Sequence, residues 1–358
     1  MTVSSPGGLP DAADVRSSNS YDFVRFCAAC AVLFSHHFYL AGFSEPVVPG
    51  YGDDFGELGV QVFFSLSGFL ICQSLQRSRN WGRFAAARIL RIFPNLLFVL
   101  IVTSTVTFFW YRNDAHIGSH FDYVGSNLLM FFRGVTQVIP GVFGDALRPQ
   151  TNEPLWTLPY ELWLYVLLAL IFVIRGRLTG IAIVLTAFVF SILWGTTRIP
   201  DGHQIGPLES YELFRLGSFF LSGAALAVIW PHLKLRAIVV GFAGLAGAIV
   251  FRQLPVETIL VSLSVAAAVV GLGSSRFMAW FSRGGDASYG IYLFAFPVQQ
   301  LSLLLVGSFW SSMAVAFLVT VALGYLTWHV FEKRAMAYRD RIGAESSRFC
   351  PETKSSTR

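Results

Sequence analysis

The sequence predicts an all-α, polytopic membrane protein with about ten transmembrane helices and with both termini in the cytosol. Hydrophobic residues make up 54% of its 358 residues, and the mean hydropathy is +0.58. Charged residues make up only 13%, about half the fraction that is usual in soluble domains. This composition excludes an ordinary soluble protein and makes the lipid bilayer an expected partner.

Ten apolar runs bounded by charge, glycine or proline follow one another along the chain. Crossing a hydrocarbon core of about 30 Å takes about 20 apolar residues, so we interpret each run as one transmembrane helix. The runs are Phe23–Leu40, Leu58–Leu75, Phe93–Trp110, Leu155–Ile174, Gly180–Trp194, Leu213–Trp230, Ala237–Phe251, Glu257–Leu272, Ala287–Val306 and Ser312–Phe331. A further short run, Val124–Phe132, is predicted to be an interfacial helix.

The basic residues set the predicted orientation. With the amino terminus inside, 19 of the 26 Lys and Arg residues fall in cytosolic segments and five fall outside, as the positive-inside rule requires. We therefore expect a cytosolic tail over residues 1–22, a membrane domain over 23–334 and a cytosolic tail over 335–358, in the cytoplasmic (inner) membrane. The basic clusters separate apolar runs and do not line one polar face, so no nucleic-acid partner is expected.

Titratable residues inside the predicted helices are the strongest indication of function, because a charge in a membrane helix costs several kcal/mol by insertion scales. Arg25 and His36 are eleven residues apart, close to three full turns, so they share a face about 16 Å apart along the helix axis. Snorkelling to the interface could explain Arg25 alone. It does not explain His36. His37 points about 100° away from His36, so the two imidazoles are poorly placed to bind one metal ion together. No metal is expected.

Glu161 is predicted at the same depth as His36. It lies six residues into the fourth helix, about 9 Å from the outer surface, and His36 lies about 10 Å from that surface. The matched depths favour a base, His36, with Glu161 as its orienting partner.

Two cytosolic arginines and one outer loop have open interpretations. Arg88 and Arg91 are spaced i, i+3 just before Pro94 and share a face. They either bind phosphate groups, which the planar guanidinium of arginine contacts with two parallel hydrogen bonds, or they are basic residues that only set the orientation of the helix in the membrane.

The outer loop over residues 111–154 is either a lid over the acceptor substrate or a solvated connection.

With these residues in place, the chain resembles the acyltransferase-3 family of bacterial membrane O-acyltransferases, which modify surface polysaccharides, lipopolysaccharide and Nod factors. The resemblance runs nearly end to end and departs at Ala295, where many members have a histidine. It is carried by DFVRFCAACAVLFSHHF around Arg25 and His36, GVQVFFSLSGFLI over Gly59–Ile71, ARILRIFP around Arg88 and Arg91, PLWTLPYELWLY around Glu161, ASYGIYLFAFPV around Tyr289, and VFEKR around Glu332.

The resemblance implies an acyl-CoA donor, with acetyl-CoA as the expected form, and a hydroxyl of a cell-surface or lipid-linked sugar as acceptor. Arg25, Arg88 and Arg91 are expected to bind the donor phosphates. His36 is expected to act as general base and Glu161 to orient it. The implied substrate contacts are Trp156 and Tyr289. Direct transfer and an acyl-histidine relay both remain open, as does the oligomeric state.

The competing interpretation is a transporter in which His36 and Glu161 relay protons. The sequence shows no inverted repeat, and Arg25, Arg88 and Arg91 gather at one predicted membrane face. Both observations favour the enzyme.

Overall fold

A computed structural model describes residues 19–77, 80–111, 115–174, 176–196, 203–233, 236–251 and 257–334. The described chain is almost entirely helical. Its α-helices are α1 Tyr21–Leu40, α2 Phe55–Arg77, α3 Trp81–Trp110, α4 Ile117–Leu128, α5 Met130–Arg133, α6 Thr157–Ile171, α7 Arg177–Thr196, α8 Ser210–Ile229, α9 Ala237–Phe251, α10 Glu257–Ser274, α11 Ser288–Leu305 and α12 Phe309–Thr327. A two-residue hairpin, β1 Gln204–Ile205 with β2 Leu208–Glu209, precedes α8.

Short 3-10 turns cover Glu153–Trp156, Trp230–His232 and Ala279–Gly284, and a π-helical turn over Trp328–Glu332 follows α12. Of the tails predicted from the sequence, residues 1–18 and 335–358 lie outside the described residues.

The prediction of an all-α polytopic membrane protein is confirmed. Each of the ten apolar runs forms a helix, and nine helices in the described ranges are long and apolar enough to cross a membrane. The tenth, α9, has 15 residues, which corresponds to about 22 Å. The run predicted as interfacial lies on α4 and α5.

The third helix begins well before the predicted start at Phe93. Asn80 caps it, since its side-chain Oδ1 accepts a hydrogen bond from the Arg83 backbone at 2.9 Å. Such a cap satisfies one of the amides that a helix start leaves open. The helix then continues through Pro94, so Arg88 and Arg91 lie inside α3 and not in a loop before it.

The chain divides into two compact units. Unit 1 consists of Met1–Tyr39, Phe43–Gln73 and Tyr160–Ser288, and it contains α1, most of α2 and α6, and all of α7 to α10. Unit 2 consists of Leu40–Gly42, Ser74–Pro159 and Tyr289–Arg358, and it contains α3 to α5, α12 and most of α11.

In unit 1, α2 and α8 cross at backbone contact. A Cβ added to Gly68 would lie 1.8 Å from the carbonyl oxygen of Phe220, and one added to Gly223 would lie 2.0 Å from that of Ser65. Small residues at helix crossings allow this approach within membranes. The two glycines therefore set the distance between α2 and α8.

In unit 2, the predicted outer loop is held by hydrogen bonds to side-chain amides. The Asn127 amide donates to the carbonyl of Thr136 at 2.8 Å and accepts from its amide at 3.0 Å. Gln300 of α11 donates to the carbonyls of Arg148 at 2.6 Å and Gln150 at 2.9 Å. These contacts show an ordered segment, which argues against a merely solvated connection.

His120 of α4 packs in the same segment. Its Nδ1 lies 3.0 Å from the Ser104 hydroxyl, and its ring meets Phe108 edge to face. Burial lowers the pKa of His120, which favours the neutral imidazole in this packed position.

Candidate functional site

His36 lies in the last turns of α1 beside the start of α2. It is half-buried, whereas the adjacent His37 is 0% exposed, in agreement with the predicted difference in direction. The preceding residue, Ser35, donates a hydrogen bond of 3.1 Å to Oδ1 of Asp54, and the Asp54 carboxylate interacts electrostatically with His36.

Glu161 lies in the second turn of α6 and is held by two hydroxyl groups. Ser67 of α2 donates to its Oε1 at 2.9 Å, and Tyr165, one turn further along α6, donates to the same oxygen. The sequence analysis missed both partners, although Ser67 lies inside the SLSGF segment and Tyr165 ends PLWTLPYELWLY.

His36 and Glu161 are both in unit 1, but they are not hydrogen-bonded to each other in the part of the chain that the structure describes. Glu161 bonds to Ser67 and Tyr165 instead. The two predicted residues therefore have different surroundings. His36 is half-buried near the Asp54 carboxylate, and the Glu161 carboxylate is held by the hydroxyls of Ser67 and Tyr165.

Arg25 forms an ion pair in unit 1. Its Nη1 lies 2.7 Å from Oδ2 of Asp286, with 21% of the arginine side chain and 5% of the aspartate side chain exposed. Asp286 also accepts a hydrogen bond from the Ser288 hydroxyl at the start of α11. The ion pair offsets the cost of placing Arg25 in a membrane helix, and part of the arginine side chain stays accessible.

Arg91, in unit 2, is paired as well. Its Nη1 lies 3.0 Å from Oε2 of Glu332, whose side chain is 1% exposed, and its guanidinium stacks over Trp328 at 5.9 Å. Asn95, one turn along α3, donates to the other carboxylate oxygen of Glu332 at 2.8 Å. The π-helical turn after α12 brings both Trp328 and Glu332 to Arg91.

Arg88, one turn earlier on α3, is half-buried and lies 6.0 Å above the Phe84 ring. It shares a helix face with Arg91, as the i, i+3 spacing predicted.

The two predicted substrate contacts are both in unit 2. Trp156 ends the 3-10 turn before α6 and is half-buried. The Tyr289 hydroxyl of α11 donates to the carbonyl of Ile92 at 3.1 Å. That bond ties α11 to α3 and gives Tyr289 a structural role.

A buried cluster in unit 1 escaped the sequence analysis. Arg215 of α8, 5% exposed, is paired with Glu57 in the first turn of α2 and with Glu212 one turn before it, the latter at 2.6 Å. An arginine inside the apolar run Leu213–Trp230 is itself the signal that would have found it.

Metal ligands do not cluster in the described ranges, which contain no group of three or more His, Cys, Asp or Glu able to hold an ion. Cys27, Cys30 and Cys72 are free thiols. The Cys27-x-x-Cys30 pair thus has no disulfide. Cys350 lies outside the described residues.

Comparison with known proteins identifies the family. The acyltransferase domain profile of the acyltransferase-3 family matches residues 18–329. The chain is 31% identical over 334 residues to an O-acetyl transferase of Shigella phage Sf6, covering 89% of this chain and 96% of the relative. It is 27% identical over 363 residues to nodulation protein 10 of Rhizobium leguminosarum bv. viciae, and this match covers 91% of this chain and 95% of the relative.

A third relative is larger. The peptidoglycan O-acetyltransferase OatA of Listeria monocytogenes is 26% identical over 299 residues, which are 69% of this chain and 45% of OatA. No solved structure matches significantly. The profile spans nearly all of the membrane helices described above, and the chain belongs to the acyltransferase-3 family of membrane acyltransferases.

Proposed function

We propose that this protein is an O-acetyltransferase of the cytoplasmic membrane that moves an acetyl group from acetyl-CoA to a hydroxyl of a cell-surface or lipid-linked sugar. The acyltransferase family supports the reaction class, and an O-acetyl transferase that is 31% identical over most of both chains supports the acetyl group. A relative named for peptidoglycan supports a glycan acceptor.

The observation that carries the proposal is the half-buried His36 in the same unit as the hydroxyl-bound Glu161. In the proposed reaction His36 takes the proton from the sugar hydroxyl while that oxygen attacks the thioester carbonyl. The carbon–sulfur bond then breaks, and the CoA sulfur leaves with the proton that His36 accepted. All atoms and protons in this reaction come from the two substrates, and no covalent acyl-enzyme forms.

Glu161 has an electrostatic part in this proposal. Its Oε1 is fixed by Ser67 and Tyr165, so the carboxylate does not have to reorganise when positive charge develops on the imidazole. Fixed charges aimed at a developing charge are an effective way to lower a barrier.

The reaction is tested with purified protein, acetyl-CoA labelled in the acetyl group, and a glycan acceptor. We expect the label to appear in the glycan in step with release of free CoA thiol. Movement of acetyl-CoA or sugar across a vesicle membrane without thiol release would instead identify a transporter.

The donor part of the proposal assigns Arg88 and Arg91, both in unit 2, to the phosphates of acetyl-CoA. The role of Arg25, in unit 1, stays a prediction from the sequence. Arg88→Ala is expected to raise the donor Michaelis constant about 10-fold to 100-fold, because a hydrogen bond to a charged group contributes about 1.5–3 kcal/mol. Turnover at saturating donor should change little. The measurement is initial rate against donor concentration.

Arg88 is a cleaner test than Arg91. Arg91→Ala would remove a cation from beside the buried Glu332 carboxylate and would destabilise the protein. Arg83→Ala is the matched control, since Arg83 is exposed on the same helix. An unchanged donor Michaelis constant in Arg88→Ala would assign this arginine to membrane topology alone.

A further inference from the structure

Asp54 lies at the point where the end of α1 meets the start of α2. Its Oδ1 accepts a hydrogen bond from the Glu57 backbone amide at 2.8 Å and from the Ser35 hydroxyl at 3.1 Å. The first bond is a helix cap that fixes the carboxylate on the first turn of α2. The second ties it to the residue next to His36.

The two helix ends are also joined by an aromatic contact. The rings of Phe34 and Phe55, the neighbours of Ser35 and Asp54 in the chain, meet edge to face at 5.6 Å. Asp54 also forms a β-bridge with Val47 in the α1–α2 connection. Backbone and side chain of Asp54 are therefore both held, and its negative charge has a fixed place relative to the end of α1.

The neighbouring carboxylates have other partners. Asp53 accepts from the Gln61 amide at 2.7 Å, and Glu57 is paired with Arg215. His37, on the same helix as His36, is fully buried. The bond to Ser35 places the Asp54 carboxylate beside the residue that precedes His36, and its charge acts on His36.

From this arrangement we infer that Asp54 is a positioning residue for His36, whose carboxylate stabilises the imidazolium formed when the base accepts the proton of the acceptor hydroxyl. The inference rests on the proposed function of His36. It assigns to Asp54 the role that the sequence analysis gave to Glu161, and it leaves Glu161 the separate role of a fixed charge held by Ser67 and Tyr165.

Asp54→Asn is the informative variant, because asparagine caps a helix as well as aspartate does and lacks the charge. A general base works in its neutral form, so kcat/KM rises with pH as the base loses its proton. A nearby carboxylate favours the protonated form. Removal of the Asp54 charge is therefore expected to move the rise of kcat/KM to lower pH by about one unit. It should also lower the value of kcat/KM on the high-pH plateau about tenfold.

Three further variants make the test specific. Asp54→Ser also caps the helix without a charge and should reproduce the shift, which guards against a folding defect in one variant. Asp54→Glu keeps the charge and should restore much of the plateau. Asp53→Asn removes a carboxylate one residue away that is bonded to Gln61, and its pH profile should match the wild type.

The outcomes separate this inference from the function on which it rests. A wild-type pH profile in both Asp54→Asn and Asp54→Ser, with His36→Ala inactive, would overturn the role of Asp54 and leave the base in place. An equal shift in Asp53→Asn would overturn it too, since any nearby charge would then suffice. Full activity in His36→Ala would instead refute the proposed function.

Discussion

Replacing His36 with alanine is expected to lower turnover by about 10²–10⁴-fold, the range that a general base contributes. The donor Michaelis constant should stay near the wild-type value, because the proposed phosphate contacts come from arginines and not from this imidazole. The measurement is transfer of labelled acetyl to the glycan by purified protein, with thermal unfolding in detergent as a check of folding.

His203→Ala is the matched control, since His203 is exposed in the same unit and should leave turnover unchanged. His37→Ala is less suitable, because His37 is fully buried and its removal would create a cavity. Near-normal turnover in a folded His36→Ala protein would end the proposed mechanism.

Replacing Glu161 with glutamine is expected to lower turnover by a similar factor, about 10²–10⁴. The glutamine carbonyl can still accept hydrogen bonds from Ser67 and Tyr165, so the change removes charge and largely keeps shape. If Glu161 and His36 act as one unit, the double variant should be scarcely slower than either single variant.

Glu209→Gln is the control for a general loss of negative charge. Glu209 lies in the same unit, in β2 just before α8, and is half-buried. We expect it to retain wild-type turnover. Independent, multiplying losses in the His36 and Glu161 double variant would show that the two groups act separately.

The helices were predictable because one physical requirement dominates them. Backbone polar groups in a bilayer must be satisfied within the segment, so an apolar run long enough to cross is a helix whatever its neighbours are. The start of α3 was misplaced because the segment from Trp81 to Phe93 is mixed in polarity, and its Asn80 cap is a local signal that hydropathy does not measure.

The sequence identifies the residues of the candidate site, but it does not identify the side chains with which they interact. Arg25, His36 and Glu161 stand out because each is titratable in an apolar run. The observed partners of Arg25 and Glu161 are Asp286 and Ser67, which are 261 and 94 residues away in the chain. No helical periodicity relates residues on different helices, so only tertiary packing brings them together.

Arg215 is a different case, because the same reasoning that found Arg25 applies to it. It lies within an apolar run, where a charge requires a partner. The structure supplies Glu57 and Glu212. The signal for this cluster is therefore present in the sequence.

The crossing of α2 and α8 restricts how unit 1 can move during turnover. Sliding either helix by one residue, about 1.5 Å, would replace Gly68 or Gly223 at the crossing by a residue whose side chain meets a backbone carbonyl. We therefore expect the two helices to move as one rigid body. On this expectation Ser67 on α2 and Arg215 on α8 keep their spacing, and a conformational change in this unit involves its other helices.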